Sequence, residues 1–353
     1  MLDYIRRLRH EMDSKDYHAC VPLLKEYKDF LEKIIENTPN DVEAACQLAA
    51  IYMELRMKTE VSKNLLEKVL QNDNEISGEE KVRTYTNLAW YYEDYGDLDL
   101  CREYLEKAIA LTPSVPNAYD ALGRLYSNGD NTDNALSLFR VAAKLGNELK
   151  YQYNYAVSLY QNNLLQEAKD FFEDLLITNE NNPLILYGLG VCCYALNDKK
   201  SAVVFANRVV AVKENEDVNE SQIADLFYLC DEPFQHNAMY DNCKWGYYTD
   251  ASWLGPYFYC LSVQKKTDEL VQKFTEVIDE KKQNINDWEN ESDPEYTDED
   301  KQERIQCLEK EKVDIESVYH RIVAEGFKPE VKINIGFIYG CYMIDCPRHQ
   351  RIE

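Results

Sequence analysis

Glycine and proline are scarce. With 12 Gly and 10 Pro in 353 residues, the chain has too few turn formers for a strand-and-turn protein and reads as a succession of long helices. Positive charge is also short, at 39 Lys and Arg against 64 Asp and Glu, and a net charge of -25 repels a DNA or RNA backbone over most of the surface. Nucleic acid is therefore excluded as the expected ligand. Long apolar runs are missing: residues 333–344 are interrupted by Asn334 and fall far short of the ~20 residues that cross a bilayer. The opening MLDYIRRLRHEMDSKDY has neither an apolar run of secretory length nor a small-residue cleavage site, so a soluble chain without a signal peptide is expected. Hydrophobic residues, by contrast, make up 45% of the chain, and its 27 Tyr supply ample surface to bury. The 11 cysteines are odd in number and mostly sit among aliphatic residues (Cys46, Cys101, Cys192, Cys193, Cys260), which suggests free thiols in a reducing, cytoplasmic setting.

Signatures of catalysis are missing too. His10-Glu11 opens no zinc-protease helix, because the second histidine would have to replace Ser14. Gly188-Leu189-Gly190 is followed by Cys193 where a dinucleotide loop needs glycine, and neither a phosphate-cradling loop nor a nucleophile elbow occurs. The metal candidates are Cys341, Cys346 and His349, with His320 or Cys230, His236 and Cys243 as further donors. An enzyme or zinc site in the C-terminal third, joined by Trp245, Tyr247, Tyr248 and Trp253, is the alternative reading. Against it, zinc modules bring two close ligand pairs, whereas Cys341 lies in an apolar run. The expectation is no catalytic residue, no metal and no cofactor. The acidic stretch 287–300 lacks the glycine and the register of an EF-hand and is expected to be an exposed loop.

Self-similarity is what the chain does contain. One small residue per unit (Ala49, Ala89, Gly123, Ala156, Gly190) and a second position (Val61, Cys101, Ala135, Ala168, Ala202) recur with the same steps of 40, 34, 33 and 34 residues. Small side chains at these places let two helices approach closely while the larger neighbours fill the grooves. Turn formers fall midway, at Tyr95-Gly96-Asp97, Asn128-Gly129-Asp130, Asn162-Asn163 and Asn197-Asp198, and Pro113 and Pro183 separate units. Over residues 42–216 this pattern resembles the tetratricopeptide repeat family, whose unit is a helix, a tight turn and an antiparallel helix. The resemblance implies an all-α solenoid, a right-handed superhelix with a groove lined by first helices.

The units run 42–75, 82–115, 116–149, 149–182 and 183–216, behind a degenerate helical cap at 1–41. Residues 217–250 are expected to form an irregular connection around one apolar helix from Ile223 to Cys230, and 251–353 a degenerate helical repeat, the acidic loop, a long helix from Asp298 and a C-terminal cap. In that cap Ile335, Gly336 and Tyr339 repeat the first-helix motif, so a helix is favoured over a pair of short strands.

The register turns Arg83, Thr86, Asn87, Trp90 and Glu93 into the groove, followed by Asn117, Asp120, Arg124 and Asn128, then Lys150, Tyr153, Asn154 and Tyr160, and finally Tyr187, Val191 and Tyr194. Aromatics beside Asn and Arg are the composition of a recognition surface. Some members of the family grip a chaperone's C-terminal carboxylate. Asn87 fits that pattern, but Cys46, Ala50, Asn117 and Ala121 stand where its other polar residues are needed. The function expected is a non-enzymatic protein-protein interaction module, either an acidic inhibitor or immunity-type protein for a basic partner, or a cytoplasmic scaffold or chaperone-like adaptor. The apolar C-terminal run also offers a homodimer contact.

Overall fold

The computed structural model describes residues 2–13, 17–71, 75–129, 131–212, 217–242, 250–293 and 295–346; among them it contains seventeen α-helices and no strand. The chain is an all-α solenoid of antiparallel helix pairs, divided into two compact units. The first is Met1–Leu164 with Phe337–Glu353, the second Leu165–Gly336.

The first unit holds α1 (Leu2–Asp13) and α2 (Tyr17–Asn37), α3 (Val42–Glu54) and α4 (Thr59–Gln71), α5 (Gly78–Asp94) and α6 (Leu98–Ala110), α7 (Asn117–Asn128) and α8 (Thr132–Leu145), and α9 (Leu149–Gln161). Starts are set by side-chain caps. Asp41 accepts from the Ala44 amide at 2.9 Å, Asp97 accepts from that of Leu100 at 3.0 Å, and Ser77 and Glu80 form a reciprocal capping box. The small positions Ala49, Ala89 and Ala156 are fully buried, and a Cβ on Gly123 would lie 3.1 Å from the Phe139 ring. Pairing is therefore close because the side chains at the contact are small. Ile5 and Leu8 of α1 join Leu24, Tyr27 and Leu31 of α2 and Leu48 and Ile51 of α3 in one core cluster, which covers the apolar face of α3.

The second unit holds α10 (Leu165–Thr178), α11 (Pro183–Ala195) and α12 (Lys199–Ala211), α13 (Glu220–Leu229) and α14 (Pro233–Asn242), α15 (Ala251–Val263) and α16 (Thr267–Glu289), and α17 (Asp298–Glu325). Here Gly188 and Gly190 are the small contacts: an added Cβ would lie 2.8 Å from Phe172 and 2.8 Å from Leu226, respectively. Phe258, Phe274 and Tyr319 tie α15, α16 and α17 together around Leu254, Ile315 and Ile322.

Turn chemistry follows the sequence at Gly96, Asn163 and Asn197, whose φ values of 78°, 59° and 64° lie in the left-handed region. Gly129 does not follow it, since it closes α7 at φ -98°, and Asp130 lies outside the described residues.

Three further expectations need correction. The segment 217–250, expected to be an irregular connection around one apolar helix from Ile223 to Cys230, carries that helix as α13, started by a capping box of Asn219 and Gln222, and a second one, α14, outside that expectation. The acidic loop shrinks to 290–297, because α16 continues through Glu289 and Thr297 caps α17 ahead of Asp298, Glu299 and Asp300. The helix favoured over Ile335, Gly336 and Tyr339 does not form. Gly326 ends α17 at φ 65°, and residues 326–343 contain neither helix nor strand. No helix among the described residues is long and apolar enough to cross a membrane, and ten described cysteines are free thiols.

Candidate functional site

In the first unit α5, α7 and α9 present polar residues, and α3 its apolar Cys46 and Ala49, toward residues 337–346 of the same unit, a segment without helix or strand that turns at Ile344 and Asp345 and is held mainly by asparagine side chains. On α9, Asn154 accepts from the Ile338 amide at 2.8 Å and donates to the Ile338 carbonyl at 3.1 Å, and its second N–H reaches Asp120 at 2.8 Å. Both donors and the acceptor of this buried amide are used. On α7, Asn117 donates to the Tyr342 carbonyl at 3.0 Å. On α5, Asn87 accepts from the Ile344 amide at 3.1 Å and donates to the Asp345 carboxylate at 2.9 Å. Contacts to main chain fix the backbone path whatever the side chains are, and each is worth about 0.5–1.5 kcal/mol net, with a larger cost for an orphaned buried partner.

Two side chains of the segment are anchored individually. The ring of Tyr342 is fully buried, edge-on to Trp90 at 5.0 Å between centroids; its hydroxyl lies 3.4 Å from the Cys101 sulfur, and the Arg124 guanidinium is 5.6 Å from the ring centre. Burial pushes this phenol far above its ordinary range and raises the Cys101 thiol to about 11, so both are neutral. Asp345, 1% exposed, lies between Asn87 and Arg83, whose Nε is 3.3 Å from the carboxylate. Burial outweighs both partners and lifts its carboxyl to about 6. Phe337 stacks on Phe139 at 4.8 Å, and Met343 and Cys346 join the core cluster of Cys46, Ala49 and Leu88.

Beneath the segment, Arg124 and Asp120 form a buried pair at 3.4 Å. Desolvation raises the Asp120 carboxyl against the pull of Arg124 and Lys150, and lowers half-buried Lys150. An open pocket beside the segment is lined by Trp90, Glu93, Asp94, Arg124, Tyr339, Gly340 and Cys341.

The residues expected from sequence therefore divide. Arg83, Asn87, Trp90, Asn117, Asp120, Arg124 and Asn154 gather around the segment. Lys150 has its side chain close to Gly340, while Tyr153 is buried and Tyr160 half-buried on α9. Tyr187 and Tyr194 lie on α11 in the second unit, where Tyr187 donates to the Asn334 carbonyl at 3.3 Å. In that unit Tyr228 likewise donates to the Pro329 carbonyl at 2.7 Å. What sequence reasoning missed is the occupant, Ile338, Tyr342, Ile344 and Asp345, because its first-helix motif concealed a segment without helix or strand.

The alternative site in the C-terminal third is not assembled among the described residues, which contain no group of three or more His, Cys, Asp or Glu able to hold a metal ion. His236 is buried in the second unit, 2.8 Å from Asn237 and flanked by Tyr228 and Tyr240, and burial lowers its pKa. Trp253 begins α15 in the same unit, while Cys341 and Cys346 belong to the first. Cys243, Trp245, Tyr247, Tyr248 and His349 lie outside the described residues.

Comparison with known proteins agrees with this architecture. Residues 82–115 match the tetratricopeptide repeat family model. The anaphase-promoting complex subunit cut9 of Schizosaccharomyces pombe is 24% identical over 176 residues, 49% of this chain and 26% of that protein, so the match spans about a quarter of the relative's length. The solved Cut9-Hcn1 hetero-tetramer aligns with a TM-score of 0.52 at 13% identity, covering 85% of this chain and 52% of that one, a likeness of fold. YrrB, described as a tetratricopeptide protein with an unusual peptide-binding site, aligns over 53% of this chain and 93% of its own, with a TM-score of 0.46 at 16% identity. Residues 82–115 thus match one tetratricopeptide repeat, and the antiparallel helix pairs and recurrent small residues around it make the architecture similar to that family's.

Proposed function

We propose that the protein is a non-enzymatic protein-protein interaction module whose first unit holds a polypeptide segment in non-helical form on the face of α3, α5, α7 and α9. One observation carries this reading: Asn154 bonds to both the amide and the carbonyl of Ile338, a contact that recognises main chain rather than a particular side chain. Asn87 and Asn117 repeat the device along the same segment. The partner is a protein or peptide with a basic surface. The net charge of -25 and the exposed acidic start of α17 support that choice, and they favour an inhibitor-type or scaffold role over one in which charge is incidental.

The test is affinity capture from the native lysate by the wild-type chain and by the Asn87→Ala, Asn154→Ala double variant, at low and near-physiological salt. A protein retained by the wild type and lost from the variant supports the reading. Equal retention by both would move the binding surface away from this face, and no retained protein at either salt would count against an interaction role.

A further inference from the structure

We propose that residues 337–346 are an exchangeable resident of the first unit, and that its inner face selects an incoming non-helical segment in which a tyrosine is followed three residues later, after a turn, by an aspartate. The inference rests on the interaction-module reading and adds to it what the partner must carry.

The argument begins with what each contact can discriminate. The asparagine bonds to Ile338, Tyr342 and Ile344 reach main-chain atoms, so they impose backbone path and register but accept almost any sequence. Identity must come from side chains that are enclosed and given specific partners. Tyr342 and Asp345 meet that condition, at 0% and 1% exposure. The tyrosine site supplies an aromatic edge from Trp90, a hydroxyl partner in Cys101 and a cation in Arg124. Phenylalanine would fill the ring space but leave the hydroxyl's partner unmet, and a site built to pair a hydroxyl penalises its absence. The aspartate site is short and closed between Arg83 and Asn87, so a longer acid would be displaced from both. Of the other positions, Met343 and Cys346 are enclosed beside Cys46, Ala49 and Leu88 and ask only for small or flexible apolar residues, while Tyr339 is 59% exposed and Ile344 only half-buried.

Exchange follows from how the segment is attached. Residues 337–343 form neither helix nor strand, so no backbone ladder has to be broken to lift them. The segment's hold consists of discrete side-chain hydrogen bonds together with apolar packing of Phe337, Met343 and Cys346, which an external segment with the same two anchors and apolar neighbours reproduces. A resident with these anchors in the same chain has the advantage of effective concentration, so an outside segment competes only when it is abundant or binds more tightly. The resident thus makes binding self-limiting.

The experiment uses the full chain and a fluorescently labelled peptide with the sequence of residues 334–347, serine replacing its two cysteines. Binding is followed by anisotropy. The full-length double variant Tyr342→Ala, Asp345→Ala, which removes both anchors of its own resident, is expected to bind the peptide at least tenfold more tightly than wild type. Adding Arg83→Ala, or replacing either the tyrosine or the aspartate of the peptide by alanine, should cost at least tenfold. If peptides with and without the anchors bind alike, the selection rule is overturned while the interaction-module reading stands. If the variant keeps wild-type circular dichroism and thermal transition yet binds no peptide, the resident is a fixed part of the core and both readings fall. Should the variant not fold, amide exchange on the wild type decides. Faster exchange at Ile338 and Ile344 than in the cores of α5 and α7 supports exchangeability, and equal protection overturns it.

Discussion

Asp345 concentrates the chemistry of the site in one carboxyl. It faces Arg83 and Asn87 on α5, with Glu43 on α3 and the Tyr27 hydroxyl on α2 also within electrostatic reach. The Cys46 thiol on α3 senses it as well; burial pushes both Tyr27 and Cys46 upward, so they stay uncharged across the acid range. Because burial lifts Asp345 from 3.8 to about 6, its protonated form is the better fit in the docked segment. The resulting stabilisation is complete below the ordinary carboxylate range and is lost as pH rises through about 6. Local opening of 337–346, measured by amide exchange corrected for intrinsic pH effects, should therefore become easier between about pH 4 and 6 and level off above it, by on the order of 1–3 kcal/mol in all. Asp345→Asn should flatten this dependence; an unchanged profile would mean that another group is responsible. The groove asparagines were legible because they recur with the repeat, which fixes where a first helix points. Their partners were not, since the bonds from Asn154 and Asn87 to the segment span 184 to 258 residues of sequence and leave no local trace.

Among the elements, the small residues carry the most readable information and the segment after α17 the least. Gly188 can be tested directly. Replacing it with alanine would improve helix propensity by roughly 1 kcal/mol, but the new methyl would sit 2.8 Å from the Phe172 ring in a packed interface. Overpacking costs about 1–3 kcal/mol, so Gly188→Ala should be destabilising by about 1–2 kcal/mol in urea unfolding. Gly78, which has nothing within 4 Å of an added Cβ, should tolerate the same change without loss. Comparable stability of the two variants would show that closeness at Gly188 is not needed. The segment 331–344 deceived the periodicity argument for a physical reason. Its Ile335, Gly336 and Tyr339 match a first helix, yet Gly336 and Gly340 weaken a helix, and Val331, Ile333, Ile335, Ile338 and Ile344 are stiff β-branched residues that favour extension. Tertiary anchoring settled a contest that composition had already left close.

At the scale of the whole chain, charge is the property that reaches furthest. A net of -25 should make association with a basic protein fast at low salt and progressively slower as the Debye length shrinks to about 8 Å at physiological ionic strength. Stopped-flow association with the captured partner should show at least a tenfold fall in on-rate over that interval, with a smaller effect on dissociation. Replacing Asp298, Glu299 and Asp300 by their amides should reduce the salt slope if the start of α17 steers the encounter, and leave it unchanged if it does not. Composition alone indicated this property, because net charge needs no fold to be counted.

The order in which the ribosome delivers the chain gives the distant anchors a temporal meaning. Asn87 emerges 258 residues before Asp345, the group it finally binds. At the ~5–20 residues per second of synthesis, the face built by α3 to α9 stands vacant for roughly 10–40 s in every nascent molecule, the time to make the 184 residues between Asn154 and Ile338. During that interval any matching segment nearby can occupy it first, and the chain's own residues arrive as the last competitor for a place already formed.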